Sequence, residues 1–192
     1  MKTILIAIAS YCMLLNACDG VIDPKPKPKD KQILPLSVGN WWQYTTALSS
    51  NSNAYIEWKI TGTQKFNNNE YYVLTKTPYN SMGTLEADTS YLRYESDDVM
   101  TYSIEKGTES VLFDAPFNVV LYDSIMPYQG HFVVSNTCRE EVPAGIFENC
   151  LDFVDNYPYH SDPSHDVLAY GVGYVRMWGF KWSYELKAYY VN

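Results

Sequence analysis

Four residues of one short segment carry side chains that could bind a metal ion: His160, Asp162, His165 and Asp166. Imidazole and carboxylate groups suit zinc or a harder divalent cation. No regular element supports their spacing, because they lie in the longest predicted connection of the chain, from Asn156 to Asp166. We interpret this segment as a surface loop, and we expect neither a bound metal nor a cofactor.

Other patterns that would indicate catalysis are incomplete. The sequence has no Gly-x-Ser-x-Gly segment, which an α/β-hydrolase places at its nucleophile. Two carboxylate pairs, Asp97-Asp98 and Asp152 with Asp155, lack a partner acid or base and a glycine-defined calcium loop. Gly171-Val172-Gly173 lacks the third glycine and the helix of a dinucleotide site, so it indicates a bulge or close packing within a strand. We expect that the protein is not an enzyme.

The N-terminal segment places one cysteine where lipid chemistry takes place. After Lys2, an apolar run from Ile4 to Leu15 ends in Leu15-Asn16-Ala17-Cys18. The run is shorter than the roughly 20 residues that span a bilayer. Its end resembles the lipobox of bacterial lipoproteins, which implies a signal peptide over residues 1–17 and diacylglyceryl and acyl groups, such as palmitate, on Cys18. The alternative is an ordinary secretory leader with a chance cysteine.

Residues 18–33 follow as a predicted tether. Pro24, Pro26 and Pro28 alternate with lysines, which disfavours a helix and favours an extended polyproline conformation. At about 3.1 Å per residue, the part of it from Asp19 to Lys31 could hold the domain of residues 34–192 up to roughly 40 Å from the bilayer. We interpret the lysines as a solvated spacer, with contact to anionic head groups as the alternative. We expect attachment to the outer membrane, with the face of the membrane left open.

The composition limits the classes of partner and fold. The chain has 14 Lys plus Arg and 22 Asp plus Glu, which gives a formal net charge of −8. It has no basic stripe that could bind a nucleic acid. Aromatic residues make up 16% of the chain, including 18 Tyr, and these favour strands over helices. The length of 192 residues favours one domain once leader and tether are set aside.

From Leu34 onward, apolar and polar residues alternate with a period of two, and turn residues interrupt them at short intervals. Short connections imply antiparallel pairing. We therefore predict an all-β fold: an antiparallel meander of about eleven strands, curled into an open barrel or a sandwich. The predicted strands are Trp41–Leu48, Ala54–Phe66, Glu70–Thr77, Ser90–Glu95, Val99–Ile104, Ser110–Phe113, Val119–Ile125, His131–Val142, Ile146–Val154, Val167–Trp178 and Trp182–Val191.

Alternation also predicts which residues of three strands face the core. They are Ile56, Trp58 and Ile60; Trp42, Tyr44 and Leu48; and Trp182, Tyr184, Leu186, Ala188 and Tyr190.

Cys138 and Cys150 are predicted to form a disulfide across a hairpin. Pro143-Ala144-Gly145 can make a three-residue loop with Gly145 at the positive-φ position. If Val142 then faces Ile146, counting back four residues on each side sets the cysteines opposite each other, near the spacing that a disulfide requires. An exported protein also meets an oxidising compartment.

The same register sets Glu140 opposite Glu148, which is unfavourable. A shifted pairing therefore remains an alternative, as do two free buried thiols.

Four tryptophans are the candidate ligand-binding residues: Trp42, Trp58, Trp178 and Trp182. A meander that curls towards closure brings its first and last strands near each other, so these rings could gather at one end of the sheet. Several large rings pack poorly in a narrow core, and each indole carries a donor that needs a partner when buried. An apolar pocket with a few polar groups would follow. A filled aromatic core is the alternative.

Three segments together indicate a family resemblance: Pro35-Leu36-Ser37-Val38-Gly39-Asn40-Trp41-Trp42, then Val142-Pro143-Ala144-Gly145-Ile146-Phe147-Glu148-Asn149-Cys150, and Tyr170-Gly171-Val172-Gly173-Tyr174-Val175. They are similar to landmarks of small, largely uncharacterised lipoproteins from Bacteroidetes-type bacteria. The resemblance implies a curled antiparallel sheet or open barrel like that of lipoprotein-carrier proteins. It carries no catalytic residues.

These observations predict a lipid-anchored envelope protein with a non-enzymatic binding or structural domain. Its expected partners are the membrane, through the anchor, and a hydrophobic small molecule, a glycan or another envelope protein. A hydrophobic-ligand carrier needs a concave apolar pocket, whereas a glycan-binding surface protein needs exposed aromatic rings in a shallow groove.

Overall fold

The computed structural model describes residues 32–46, 54–80, 83–120, 130–156, 163–179 and 182–192. Within these ranges twelve strands form one sheet. The strands are β1 (Trp41–Thr46), β2 (Tyr55–Phe66), β3 (Asn69–Asn80), β4 (Gly83–Thr84), β5 (Asp88–Glu95), β6 (Asp98–Ser103), β7 (Thr108–Phe113), β8 (Gly130–Val142), β9 (Gly145–Asn156), β10 (Ser164–Ala169), β11 (Gly173–Gly179) and β12 (Trp182–Tyr190).

The strand order across the sheet is β7-β6-β5-β3-β2-β1-β12-β11-β10-β9-β8, with β4 paired beside β3. All pairings between these strands are antiparallel, and most join strands that are consecutive in the chain. Two pairings do not: β3 pairs with β5 past the short β4, and β1 pairs with β12, which makes the first and last strands neighbours. The strands β7 and β8 are left at the two edges, so the sheet is not closed. The predicted all-β antiparallel meander is confirmed, as one curled sheet.

Ring contacts show how far the sheet curls. Phe113, on edge strand β7, lies 4.9 Å from Phe153 on β9 and 5.9 Å from Tyr174 on β11, measured between ring centroids. Trp58 of β2 also contacts Tyr174, at 5.2 Å. These strands are distant in the sheet order, so the contacts cross the interior of the curl. The core therefore lies inside the curl and contains rings from both halves of the sheet.

Local sequence explains the tight hairpins. Asn67 and Asn68 between β2 and β3 have φ angles of 48° and 70°. Asparagine tolerates this left-handed region, and two such residues in succession match the turn that suits the twist of an antiparallel hairpin.

One predicted strand, Val167–Trp178, is wrong as a single element. The structure divides it into β10 and β11. Gly171 and Gly173 have φ angles of 69° and 95°, and Val172 N donates to Ala169 O at 3.0 Å. The segment Gly171-Val172-Gly173 is therefore a hairpin turn and not a bulge within a strand. The apolar residues on both sides of the turn obscured it in the periodicity.

The predicted strand Val119–Ile125 has only its first two residues in the described ranges. Val119 forms an isolated parallel bridge with Val133, outside the named strands. The rest of the prediction, residues 121–125, lies outside the described residues.

The predicted core face of β12 is correct at its centre and wrong at its ends. Leu186 is fully buried and Tyr184 packs against the core, but Trp182 is 37% exposed and Tyr190 44% exposed. Tyr44 pairs with Leu186 and Gln43 with Ala188, so Lys187 is the extra residue of a bulge. A one-residue bulge reverses the faces beyond it, which turns Tyr190 outwards.

The other two core faces agree with the alternation where they are described. Trp42, Tyr44, Trp58 and Ile60 are buried, and Ile56 packs against them. Leu48 lies outside the described residues.

Candidate functional site

A cavity lies where the two edge strands approach each other. We call it the seam cavity. Its volume is about 300 Å³. It is lined by Val111, Leu112, Phe113, Asp114, Pro116, Phe117, Asn118, Val120, His131, Phe132, Val133 and Phe153. The lining is mostly apolar and contains four phenylalanines.

The segment after β7 forms one wall of the seam cavity. Ala115 N donates to the Asp98 carboxylate at 2.7 Å, which fixes the start of this segment against β6. Val120 N donates to Val133 O at 2.7 Å, which joins its end to edge strand β8. Between these bonds, Phe117 packs edge to face on Phe153 with ring centroids 5.6 Å apart. Side chains and a few backbone bonds, and not a full strand pairing, therefore connect the two edges.

His131 is the main titratable group of the seam cavity. Its ring lies 5.5 Å from the Phe113 ring and 4.9 Å from the Phe153 ring, and its Nδ1 is 4.0 Å from an Asp155 oxygen. Burial lowers the pKa of His131 to about 4. The imidazole is therefore neutral at physiological pH, with one donor and one acceptor among the phenylalanines.

A second cavity, which we call the inner cavity, lies deeper inside the curl and has a volume of about 100 Å³. Its lining combines leucines with several polar side chains. The residues are Leu34, Trp58, Leu74, Lys76, Ser90, Leu92, Thr101, Leu112 and Tyr174. Leu112 is the one residue that both linings share.

Lys76 is the cation of the inner cavity. Its Nζ lies over the Trp58 ring, 4.6 Å from the centroid, in a cation–π contact. Burial lowers the pKa of Lys76, and the charges of Asp88 and Asp166 partly offset that effect.

Asp166 adds a buried carboxyl group near this cavity, although it is not part of the lining. Burial raises the pKa of Asp166 to about 7, with Asp155 raising it further and Lys76 opposing the shift. The pKa values of Tyr44 and Tyr174 are raised mainly by burial, and the charge of Asp166 raises them further. The interior of the curl thus holds a partly ionised carboxyl group at neutral pH.

The structure separates the four predicted tryptophans. Trp42 and Trp58 are opposite each other on β1 and β2, and Trp42 donates its indole N–H to Val172 O. Trp58 alone lines the inner cavity. Trp178 stacks on the His165 ring at 4.4 Å, and the partly exposed Trp182 covers Gly179. Trp178 and Trp182 line neither cavity.

The predicted loop cluster lies partly on a strand. His165 and Asp166 belong to β10, and His165 Nδ1 is 3.0 Å from an Asp152 oxygen. Their side chains point to opposite faces of that strand, as successive strand residues do. His160 and Asp162 lie outside the described residues. Within the described ranges, no group of three or more His, Cys, Asp or Glu side chains could hold a metal ion.

Cys138 and Cys150 are directly opposite each other on β8 and β9, as predicted. The register differs from the prediction, because Val142 pairs with Gly145 and bulges lie between the turn and the cysteines. Glu140 is consequently opposite Phe147 and not Glu148. Both cysteines are free thiols in this structure, so their disulfide stays a prediction. Cys18, the predicted lipidation site, lies outside the described residues.

The seam phenylalanines and His131 were not singled out in the sequence. Phe113 and Phe117 belong to one segment, but Phe153 is distant from them in the chain, and each residue also fits an ordinary strand or loop. Only the curl of the sheet brings them together. An apolar edge strand followed by a phenylalanine-containing loop, over Val111 to Phe117, was the available signal.

No helix in the described part of the chain is long and apolar enough to cross a membrane. No protein-family model matches the sequence, and no curated protein matches it.

Two solved structures share the fold. One is a protein assigned as exported, with a YmcC-like fold, from Bacteroides fragilis. It is 14% identical, with a TM-score of 0.53 over 81% of this chain and 97% of that one. The other is a protein assigned as a lipoprotein from Parabacteroides distasonis, 13% identical, with a TM-score of 0.53 over 83% of this chain and 98% of that one. At this identity the likeness establishes the fold alone.

Proposed function

We propose that this chain is a lipid-anchored protein of the bacterial cell envelope whose non-enzymatic, all-β domain binds a small hydrophobic molecule in the seam cavity. The observation that carries the proposal is the cavity of about 300 Å³ between the two sheet edges, nine of whose twelve lining residues are apolar. Two solved structures of this fold come from proteins assigned as exported and as a lipoprotein. Those assignments agree with the leader and with Cys18.

The lining defines the chemistry of the ligand. Small-molecule sites are concave and mostly apolar, with a few polar groups, and span about 300–1,000 Å³. The seam cavity is at the lower end of that range, so it suits a compact apolar molecule or one end of an acyl chain. Neutral His131 and the Asn118 amide supply the few polar groups, which suit a hydroxyl or carbonyl on the ligand.

The neutral fluorescent probe N-phenyl-1-naphthylamine tests the site in the Cys18→Ala protein, which carries no lipid and needs no detergent. We expect saturable binding with increased fluorescence. Val111 lines the seam cavity and is 50% exposed, so Val111→Phe should fill space without disturbing the core. The added ring should weaken binding about tenfold, or about 1.4 kcal/mol.

Ile104→Phe is the matched control, because Ile104 is similarly exposed and does not line the cavity. Its affinity should stay within about twofold of the parent, as expected for an exposed surface change. Equal affinity in both variants, or no saturable binding in the parent, would contradict the seam site.

The anchor has its own test. Mass spectrometry of the mature N-terminus should find diacylglyceryl and acyl groups on Cys18, because several chains on one residue make attachment effectively permanent. An unmodified N-terminus would refute the anchor, as would a Cys18→Ala protein that still fractionates with outer membranes. Neither result would affect the seam cavity.

A glycan-binding surface is the second candidate, and the exposure of Trp182 favours it. Trp182 is 37% exposed, and its ring lies 6.0 Å from that of Tyr184. Loss of glycan-array binding in Trp182→Ala, with probe binding unchanged, would support this candidate over the seam cavity.

A further inference from the structure

The inner cavity contains a cation, Lys76, that has no close ion pair with a carboxylate of the described residues. No carboxylate oxygen of the described residues lies within 4.0 Å of Lys76 Nζ in an ion pair. Its closest described partner is the Trp58 ring, at 4.6 Å. Asp88 and Asp166 act on Lys76 only through longer-range attraction, and neither lines the cavity. Buried charges are usually paired or hydrogen-bonded, because desolvation without a partner is costly.

The other polar groups of the lining are also donors. The indole Nε1 of Trp58 is buried and has no hydrogen-bond partner among the described residues. Ser90, Thr101 and Tyr174 add hydroxyl groups, which can donate or accept. The small cavity is thus lined by an ammonium group, an indole N–H and several hydroxyls. This set of donors favours a ligand that only accepts hydrogen bonds.

The remaining lining strengthens such an interaction. Leu34, Leu74 and Leu92 are almost fully buried and form the apolar walls of the inner cavity. Electrostatic attraction and hydrogen bonds are stronger where apolar walls exclude water. A volume of about 100 Å³ corresponds to roughly three water molecules, at about 30 Å³ each. That is the size of a carboxylate group with one or two attached carbons.

We propose that the inner cavity is a second binding site, separate from the seam cavity, that takes a carboxylate group against Lys76. A carboxylate accepts at both oxygens and would bring an anion within ion-pair distance of Lys76, closer than Asp88 and Asp166. Two sources share this chemistry: a free short-chain acid, and the head of a longer acid whose chain passes Leu112 into the seam cavity.

The indole proton of Trp58 reports on occupancy of the inner cavity. In ¹H–¹⁵N spectra of the Cys18→Ala protein, Trp58→Phe assigns the Trp58 indole signal by its disappearance. Titration with acetate should shift that signal saturably, while acetamide, which is neutral and of similar shape, should leave it nearly unchanged. We expect weak, millimolar affinity, because so few ligand atoms fit.

Lys76→Met removes the cation and keeps the length of the side chain. Replacing a buried charge with an apolar group of similar volume is often neutral or stabilising, so this variant should fold. It should weaken acetate binding about tenfold or more, since hydrogen bonds to charged groups are the stronger class. Lys187→Met, at the exposed bulge of β12, is the control and should bind acetate as the parent does.

Three outcomes would overturn the proposal: no saturable shift with acetate, an equal shift with acetamide, or an unchanged acetate affinity in Lys76→Met.

Titration with octanoate then distinguishes the two sources of the carboxylate. If Val111→Phe weakens octanoate but not acetate, the site holds the head of a longer acid. If both acids are unaffected, it holds a short free acid. Because probe binding at the seam is measured separately, failure of the inner site leaves the seam proposal standing.

Discussion

The two places where halves of the sheet meet are built differently. At the junction of β1 and β12, an antiparallel ladder with one bulge, at Lys187, joins the strands over the whole of β1, and Trp42, Tyr44 and Leu186 are buried beneath it. At the seam between β7 and β8, the described contacts are one isolated bridge, one backbone hydrogen bond from Val120 to Val133, and packed rings around a cavity, while Ala115 N holds the connecting segment to the Asp98 carboxylate of β6.

This difference separates stability from binding. The junction satisfies its backbone groups in pairs and fills its interior, so little space or freedom remains there. The seam has fewer backbone bonds and retains a cavity. Regions with few backbone bonds and sparse packing open at lower free energy, and binding sites are drawn from them. The seam is therefore the part of the sheet that can admit a ligand without unfolding the rest.

The largest expected effect is on the free energy of unfolding, when one aromatic side chain of the junction and one of the seam are each replaced by alanine. Trp42→Ala removes a fully buried ring and its hydrogen bond to Val172 O, and should lower the free energy of unfolding by about 3–5 kcal/mol. Phe117→Ala removes a partly buried seam ring and should cost about 1–2 kcal/mol. Guanidinium unfolding measures both. Equal losses would mean that the seam is packed as firmly as the junction.

A disulfide between Cys138 and Cys150 would reinforce the hairpin of β8 and β9 on the seam side. Closing this short loop should stabilise the oxidised protein by about 3 kcal/mol over the reduced one. The free energies of unfolding with and without reductant test this value, and Cys150→Ser should abolish the difference.

Thiol labelling decides whether the bond forms in the exported protein. Denatured, unreduced protein should leave both Cys138 and Cys150 unmodified. Labelling of both would show two free thiols, and the contrast between junction and seam would then rest on packing alone.

The smallest expected effect, on the order of 1 kcal/mol after solvent screening, concerns pH. The folded-state pKa of Asp166 is about 7 against 3.8, so the folded protein retains a proton that the unfolded chain releases. This contribution to stability is present below pH 4 and is lost as pH rises to 7. The folded-state pKa of His131 is about 4 against 6.5, so its contribution is present above pH 6.5 and is lost as pH falls towards 4.

Single substitutions separate these opposing trends. Relative to the parent, Asp166→Asn should gain stability as pH rises from 4 to 7. His131→Gln should gain stability as pH falls from 6.5 to 4. Thermal unfolding at several pH values measures both slopes. Parallel curves for parent and variants would show that neither group titrates differently on folding.

The sequence was sufficient for most of the strands and for their antiparallel pairing, because alternation and turn chemistry are local. Asn67-Asn68 is a clear example. The bulge at Lys187 and the turn at Gly171 were missed, because a one-residue change of register and a turn between two apolar runs leave the local pattern nearly unaltered.

The candidate site was less predictable than the fold. Trp58 was correctly predicted to lie inside the curl. Its cation–π partner, Lys76, was not predicted there, because a lysine on β3 is expected to face solvent. The rings of the seam come from β7, the segment after β7, β8 and β9. Which of many aromatic residues share a cavity depends on the curvature of the sheet, and no local periodicity encodes that curvature.

The pairing of β1 with β12 has a topological consequence. The fully buried side chain of Asn40, just before β1, donates to Pro35 O at 2.8 Å and accepts from Asn192 N at 2.9 Å, so the start of the first strand touches the last residue. A circular permutant that joins these ends and opens the chain between β7 and β8 would run from β8 to β12 and then from β1 to β7. Its strands would follow the spatial order of the sheet, so every main pairing would be local. Chains with lower contact order generally fold faster. In the natural chain, the pairing between the residues most distant in sequence is that of β1 with β12, at the junction. The permutant makes this pairing local, and its new chain ends lie at the seam.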